Sequence, residues 1–377
     1  MLYKTNTMQS VKMLANLELS SIFSFMFGCA ALFCALFEFP IVGPVTSRKL
    51  FLVLCATYLF FNWAKVQQCI KRIHMERVVL FVFGMAICFL ISQWNAAGIV
   101  KLNSNVYVEP YYYVQIVLYL IVFSSAFATL FKSVRSFAYA YILIMVLESI
   151  AVFVAAGNTS FRLFLYDNFY VGDDRFDSTI YWGTRIIGVY LHSSTGSLIL
   201  AATCALLIYL KLRGQMRMIP FIFLYALIVA ATFLIGRTGF YLEIALIVVY
   251  LLLEKHITKK IAIGIGITLI GAFVVAFVLS SMNASIADSV FSWATELFHE
   301  DTRTNTISTL ASMEIPAFSP QMLLGTNIQL GDLPDGSHMG SDSGYAKTYC
   351  VIGVLGFFVY YASFIALLAA FPLGKNR

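Results

Sequence analysis

Ten long apolar runs divide the chain, at about 19–37, 50–64, 78–94, 113–131, 137–156, 189–210, 219–235, 240–253, 261–281 and 344–371. Each approaches the roughly 20 residues an α-helix needs to cross a bilayer's hydrocarbon core. In lipid, a backbone must satisfy its own hydrogen bonds, which leaves helices or closed barrels as the spanning structures. The runs lack strand-period alternation, which argues against a barrel. Only 12% of the 377 residues are charged and 60% are hydrophobic, whereas about one quarter of a soluble domain is charged. The expectation is an all-α polytopic membrane protein of about ten transmembrane helices, one integral membrane domain over 1–377. Lys4 and Lys12 precede the first run and no small-residue cleavage site follows it, so that run reads as a retained span.

Basic residues set the orientation. With the N-terminus cytoplasmic, the inside segments hold 16 of the 25 lysines and arginines and the outside segments hold the other nine. The inside ones include Lys71, Arg72, Arg213, Lys259 and Lys260, all in short connections, where the rule has force. Both termini are then expected on the cytoplasmic side of a multi-pass protein. The net charge of +6 is no nucleic-acid footprint, because its positives lie beside spans. Six of the seven cysteines fall in apolar runs and Cys69 in a basic connection, without metal-ligand spacing, so neither disulfides nor zinc are expected.

Two connections are long, and both are expected outside. The first covers 157–188 and carries Arg162, Asp173, Asp174, Arg175, Asp177 and Arg185. The second covers 282–343, with Phe291, Trp293, Phe298 and Leu310 giving it apolar surface to fold onto the membrane domain. Long connections in compact proteins tend to be functional or disordered.

A four-residue turn, Gly236-Arg237-Thr238-Gly239, joins two of the runs and falls on the same outer face. Its glycines would let the backbone turn sharply and leave room beside the guanidinium. Taken alone, Arg237 reads first as an arginine snorkelling to the interface, with ligand binding as the alternative. In Gly183-Thr184-Arg185 through Thr195-Gly196, a helix from Arg185 would bring His192 and Gly196, seven and eleven residues on, to nearly the same face. The small run Ser193 to Ser197 would let a neighbouring helix or a ligand come close. Guanidinium stays charged and binds phosphate oxygens with paired donors, so two outer-face arginines beside apolar helices suit a lipid-linked pyrophosphate. Arg303 is a third candidate, or else a solvated loop arginine beside Glu300 and Asp301.

Near the last run, His338 and Asp342 are the titratable groups best placed to take a proton from a sugar hydroxyl, with His192 next. Asp342 is also explained as a helix N-cap. Glu148 and Glu243, within spans, read as buried partners of arginines or as polar helix contacts. There is no Asp-x-Asp pair for a metal-dependent glycosyltransferase and no phosphate-cradling loop for ATP. No metal or cofactor is expected.

These features together resemble a Wzy-type polymerase of bacterial O-antigen, capsule or exopolysaccharide units, within the O-antigen polymerase/ligase superfamily. Arg185 and Gly196 match an Arg-x10-Gly pattern, and Gly236-Arg237-Thr238-Gly239-Phe240 is similar to the family's arginine turn after a mid-chain span. Leu324-Gly325, Ser341-Asp342-Ser343-Gly344-Tyr345 and Cys350-Val351-Ile352-Gly353-Val354-Leu355-Gly356 resemble its loop exit and final glycine-rich helix. With the topology, the resemblance covers most of 20–371. It implies a glycosyltransferase type C-like fold in the bacterial inner membrane. It also implies inverting, metal-independent transfer between two undecaprenyl-pyrophosphate-linked glycans at the extracytoplasmic face. Arg185 and Arg237 would clamp the leaving pyrophosphate, with Arg303, His192 and Gly196 in the substrate site, and Asp342 or His338 would accept the hydroxyl proton. A flippase and a chain-length regulator would be its protein partners, membrane lipids its surroundings.

Two departures qualify that resemblance. Eleven residues after Arg303 stands Glu314, so a second Arg-x10-Gly pattern is missing, and Asp342-Ser343 stands where related ligases carry His-Asn. The second departure favours polymerase over ligase. A ligase, or a flippase or transporter of lipid-linked glycan, is the rival reading; a transporter would need charged or broken helices at mid-membrane depth, where only Glu148 lies.

Overall fold

The computed structural model describes residues 22–43, 45–71, 73–97, 111–131, 133–169, 188–189, 193–254, 256–281, 320–325 and 344–370. The protein is an all-α polytopic membrane protein. Each of the ten apolar runs carries a helix: α1 (Ile22–Leu36), α2 (Ser47–Phe61), α4 (Met75–Ala97), α5 (Tyr111–Leu130), α6 (Val134–Gly157), α8 (Ser193–Leu212), α9 (Met218–Ile235), α10 (Arg237–Leu253), α11 (Ile257–Ser281) and α12 (Gly344–Ala370). Among the described residues, seven helices are long and apolar enough to cross a membrane, and eight if α2 and the following α3 (Trp63–Ile70) form one broken span.

Three features depart from the run pattern. α2 turns by 89° into α3, so the basic connection with Cys69 is helical. The bend falls at Asn62, whose side-chain amide donates to the Tyr58 carbonyl at 3.0 Å and so competes with the backbone ladder. Pro40–Val42 (β1) and Val45–Thr46 (β2) form a small antiparallel hairpin ahead of α2. In the first long connection, Thr159–Phe169 is a helix, α7, rather than loop. Asn158 starts it, its side-chain oxygen accepting the Phe161 N–H at 3.0 Å.

The chain divides into two compact units. The first comprises 1–57 and 126–298. Within it α6 is a hub, packing against α7, α8, α9 and α11. Its start is fixed by a capping box, in which Ser133 and Ser136 each bond the other's backbone N–H. The core of this unit is apolar, with Phe221, Tyr225 and Tyr250 fully buried, and carries two buried carboxylates, Glu148 and Glu243.

The second unit comprises 58–125 and 299–377 and is built on the pairing of α4 with α12. Gly84 lets them meet: an added Cβ would collide with the Ser363 hydroxyl. Leu324-Gly325 and the middle of α12, named above on sequence grounds, come together here. Gly353 breaks α12 with φ +68°, and Gly325 has φ +81°. The two glycine backbones are in direct contact, and Asn95 donates to both sides, to the Leu324 carbonyl at 2.7 Å and the Val351 carbonyl at 3.4 Å. Alanine at 353 would be held in a positive-φ region that is essentially glycine's alone, at about 1–3 kcal/mol, with overpacking of about 1–3 kcal/mol besides. Gly353→Ala is therefore expected to lower the thermal unfolding temperature in detergent clearly. An unchanged midpoint would contradict this packing.

Candidate functional site

Arg185, His192, Arg303, His338 and Asp342 lie outside the described residues, and for Arg237 only the backbone is described. Gly196 is described and buried. The structure therefore defines the frame that carries Arg237 and Gly196, and that frame lies in the first unit.

α9 and α10 are separated by a single residue. Gly236 is extended, with φ −167° and ψ 134°, and among the described residues no side chain caps α10 there. The turn is thus shorter than the four residues anticipated, and Arg237 is the first residue of α10. An extended φ is open to any residue, so sharp turning is not what requires glycine at 236. Gly239 has a different role as well. An added Cβ at Gly239 would collide with the backbone carbonyl of Ser197 on α8, so its bare Cα makes room for that helix. The Gly239 N–H also donates to Ser197 Oγ at 3.2 Å, with both residues buried. Of the two visitors the small run Ser193–Ser197 was expected to admit, it admits the neighbouring helix.

This contact lies near the starts of both helices. Ser197 is four residues into α8 and Gly239 two residues into α10, about 6 Å and 3 Å along their axes. The N-termini of α8 and α10 therefore converge, one with Gly196 in its first turn and the other with Arg237 at its head. Helix N-termini carry partial positive charge and unsatisfied N–H groups. Two of them side by side, with an arginine on one, form a frame suited to an anion.

The approach to α8 is held separately. Val189 N–H donates to Glu148 Oε2 at 2.9 Å, and a Cβ at Gly188 would collide with the same carboxylate. Gly188 and Val189 are not helical and α8 begins at Ser193, so one unbroken helical stripe from Arg185 through His192 to Gly196 does not form. The reason is a tertiary contact: Glu148, only 4% exposed on α6, takes a backbone N–H that a continuous helix would have used internally. Glu243, fully buried on α10, accepts from Thr232 Oγ1 of α9 at 2.8 Å, and Tyr225 donates to its backbone carbonyl at 2.6 Å. Both carboxylates thus make polar contacts that fix α6, α9 and α10 around the frame.

Asn95 and the pairing of Gly239 with Ser197 were not singled out from sequence. The glycine carried a signal, being a small residue beside an arginine at a helix start, but its partner is 42 residues away. Compared with protein-family models, curated proteins and solved structures, the chain matches none.

Proposed function

We propose that the protein polymerises undecaprenyl-pyrophosphate-linked oligosaccharide repeat units into a surface polysaccharide at the extracytoplasmic face of the bacterial inner membrane. The observation that carries this reading is the convergence of the α8 and α10 N-termini at Ser197 and Gly239, with Arg237 heading α10. A leaving pyrophosphate gains negative charge as the glycosidic bond breaks, and preorganised positive groups lower that barrier. Arg237 and Arg185 are assigned to the phosphates of the donor. The sugar hydroxyl of a second lipid-linked unit attacks the donor's anomeric carbon with inversion, losing its proton to Asp342 or His338, which are proposed from sequence alone. His192 and Arg303 are proposed to line the substrate site. Binding both lipid-linked reactants side by side supplies the proximity effect.

The proposal includes ten spans with both termini cytoplasmic, counting α1, α10 and the bent α2–α3 pair with the seven longer helices. That topology accounts for α8 and α10 starting at one membrane face. The test is chemical: the purified chain, given lipid-linked repeat units, should join them. Repeats moved across the bilayer unjoined, or transferred once to a lipid A acceptor, would overturn polymerisation in favour of a flippase or a ligase.

A further inference from the structure

Arg162 lies on α7 and is only 3% exposed. A guanidinium offers five N–H donors and always seeks acceptors when buried. Here one terminal nitrogen reaches the Ala155 carbonyl at 3.4 Å and the other reaches Thr159 Oγ1 at 3.5 Å, both beyond the usual hydrogen-bond range, while Nε has no partner. Among the described residues no carboxylate forms an ion pair with it. Asp167, on the same helix, is exposed. Glu38, next to the Phe39 ring that packs on Phe169, is bound to Arg48 at 2.7 Å and Thr46 at 2.6 Å. Desolvation pushes the Arg162 pKa down, as expected of a cation without a compensating charge.

Its position is informative. Ala155 stands seven residues from Glu148 on α6, two turns or roughly 10 Å along the same face. Glu148 holds the Gly188–Val189 backbone on the approach to α8. The poorly paired guanidinium therefore lies at the carbonyl end of α6, on the same helix that holds the approach to the α8–α10 frame through Glu148. A buried charge this poorly paired is costly unless an anion completes it.

We propose that Arg162 is a phosphate-binding residue for a lipid-borne phosphate, taken up at the end of α6. Resting on the function proposed above, that phosphate belongs to the polyprenyl pyrophosphate substrate, and Arg162 holds it before or beside Arg237.

The test is thermal unfolding and lipid titration of the full chain in a maltoside detergent, which contains no phosphate. The probes are undecaprenyl pyrophosphate, undecaprenol and phosphatidylglycerol, and the variants are Arg162→Met, Arg162→Lys and Arg237→Ala. Undecaprenyl pyrophosphate should stabilise the wild type and undecaprenol should not. Without lipid, Arg162→Met should unfold at or above the wild-type temperature, because a costly charge is gone, and its affinity for the pyrophosphate should fall about tenfold or more. Arg162→Lys should keep part of the lipid response. A destabilised Arg162→Met with an undiminished lipid response would overturn the proposal, leaving Arg162 as a cap on the α6 carbonyl end. An equal response to phosphatidylglycerol, lost in Arg162→Met, would support the phosphate site but identify bulk lipid as its source. Loss of binding in Arg237→Ala alone would overturn the Arg162 assignment and leave the α8–α10 reading intact. Loss in Arg162→Met alone would support it and remove Arg237 from the site.

Discussion

Arg237→Ala is expected to abolish long-chain glycan while single repeat units still reach the cell surface. In a strain lacking the chain's own gene and carrying the variant, the glycan ladder on a gel should collapse to its lowest band. Removing one preorganised group that stabilises developing charge costs about 10²–10³ in turnover, enough to eliminate every rung that needs repeated transfer. Arg237 is the first residue of α10, the end of that helix where its N-terminal partial charge lies. Lysine should restore less than full activity, since an ammonium lacks the paired donors of guanidinium. A normal ladder in Arg237→Ala would refute the leaving-group assignment. Loss of even the single-repeat product would point to transport or ligation instead.

The second large effect is expected at Gly239. Alanine there would drive its Cβ into the Ser197 carbonyl, so α8 and α10 must part or unwind. Overpacking of this kind costs about 1–3 kcal/mol, and the hydrogen bond from Gly239 N–H to Ser197 Oγ is lost as well. Activity should fall further than stability, because the displaced element is the helix start that carries Arg237. Gly264, on α11, is the control: an added Cβ there meets nothing within 4 Å. Gly264→Ala should be neutral, or stabilising by up to about 1 kcal/mol through helix propensity. Equal unfolding temperatures and equal polymer yields for the two variants would contradict the close α8–α10 contact.

These two positions show what a sequence can and cannot disclose. The helices were legible because burial in lipid demands long apolar runs, and each run carries one. The bend at Asn62 and helix α7 were not, since one depends on a single side chain meeting its own backbone. The other follows Asn158, a cap that reads equally well as a loop residue. At the site, the glycine beside Arg237 is visible in the sequence, but its packing partner is not. The chain turns at Gly236 in an extended conformation, and Gly239 is small because Ser197 occupies the space. Gly188 is likewise small because Glu148, 40 residues earlier, points at it. Such pairings arise from tertiary packing, and no local pattern encodes them. The supposed helical stripe from Arg185 failed for the same reason, a distant carboxylate capturing the Val189 N–H.

The most direct measurement is a reconstitution with the purified chain alone in liposomes. Its substrate is the lipid-linked repeat unit that accumulates in cells lacking the protein, with released undecaprenyl pyrophosphate counted against glycosidic bonds formed. The account predicts a ladder of products with one undecaprenyl pyrophosphate released per bond, and loss of both in Arg237→Ala. Intact lipid-linked units with no release, under conditions where they bind the protein, would contradict it.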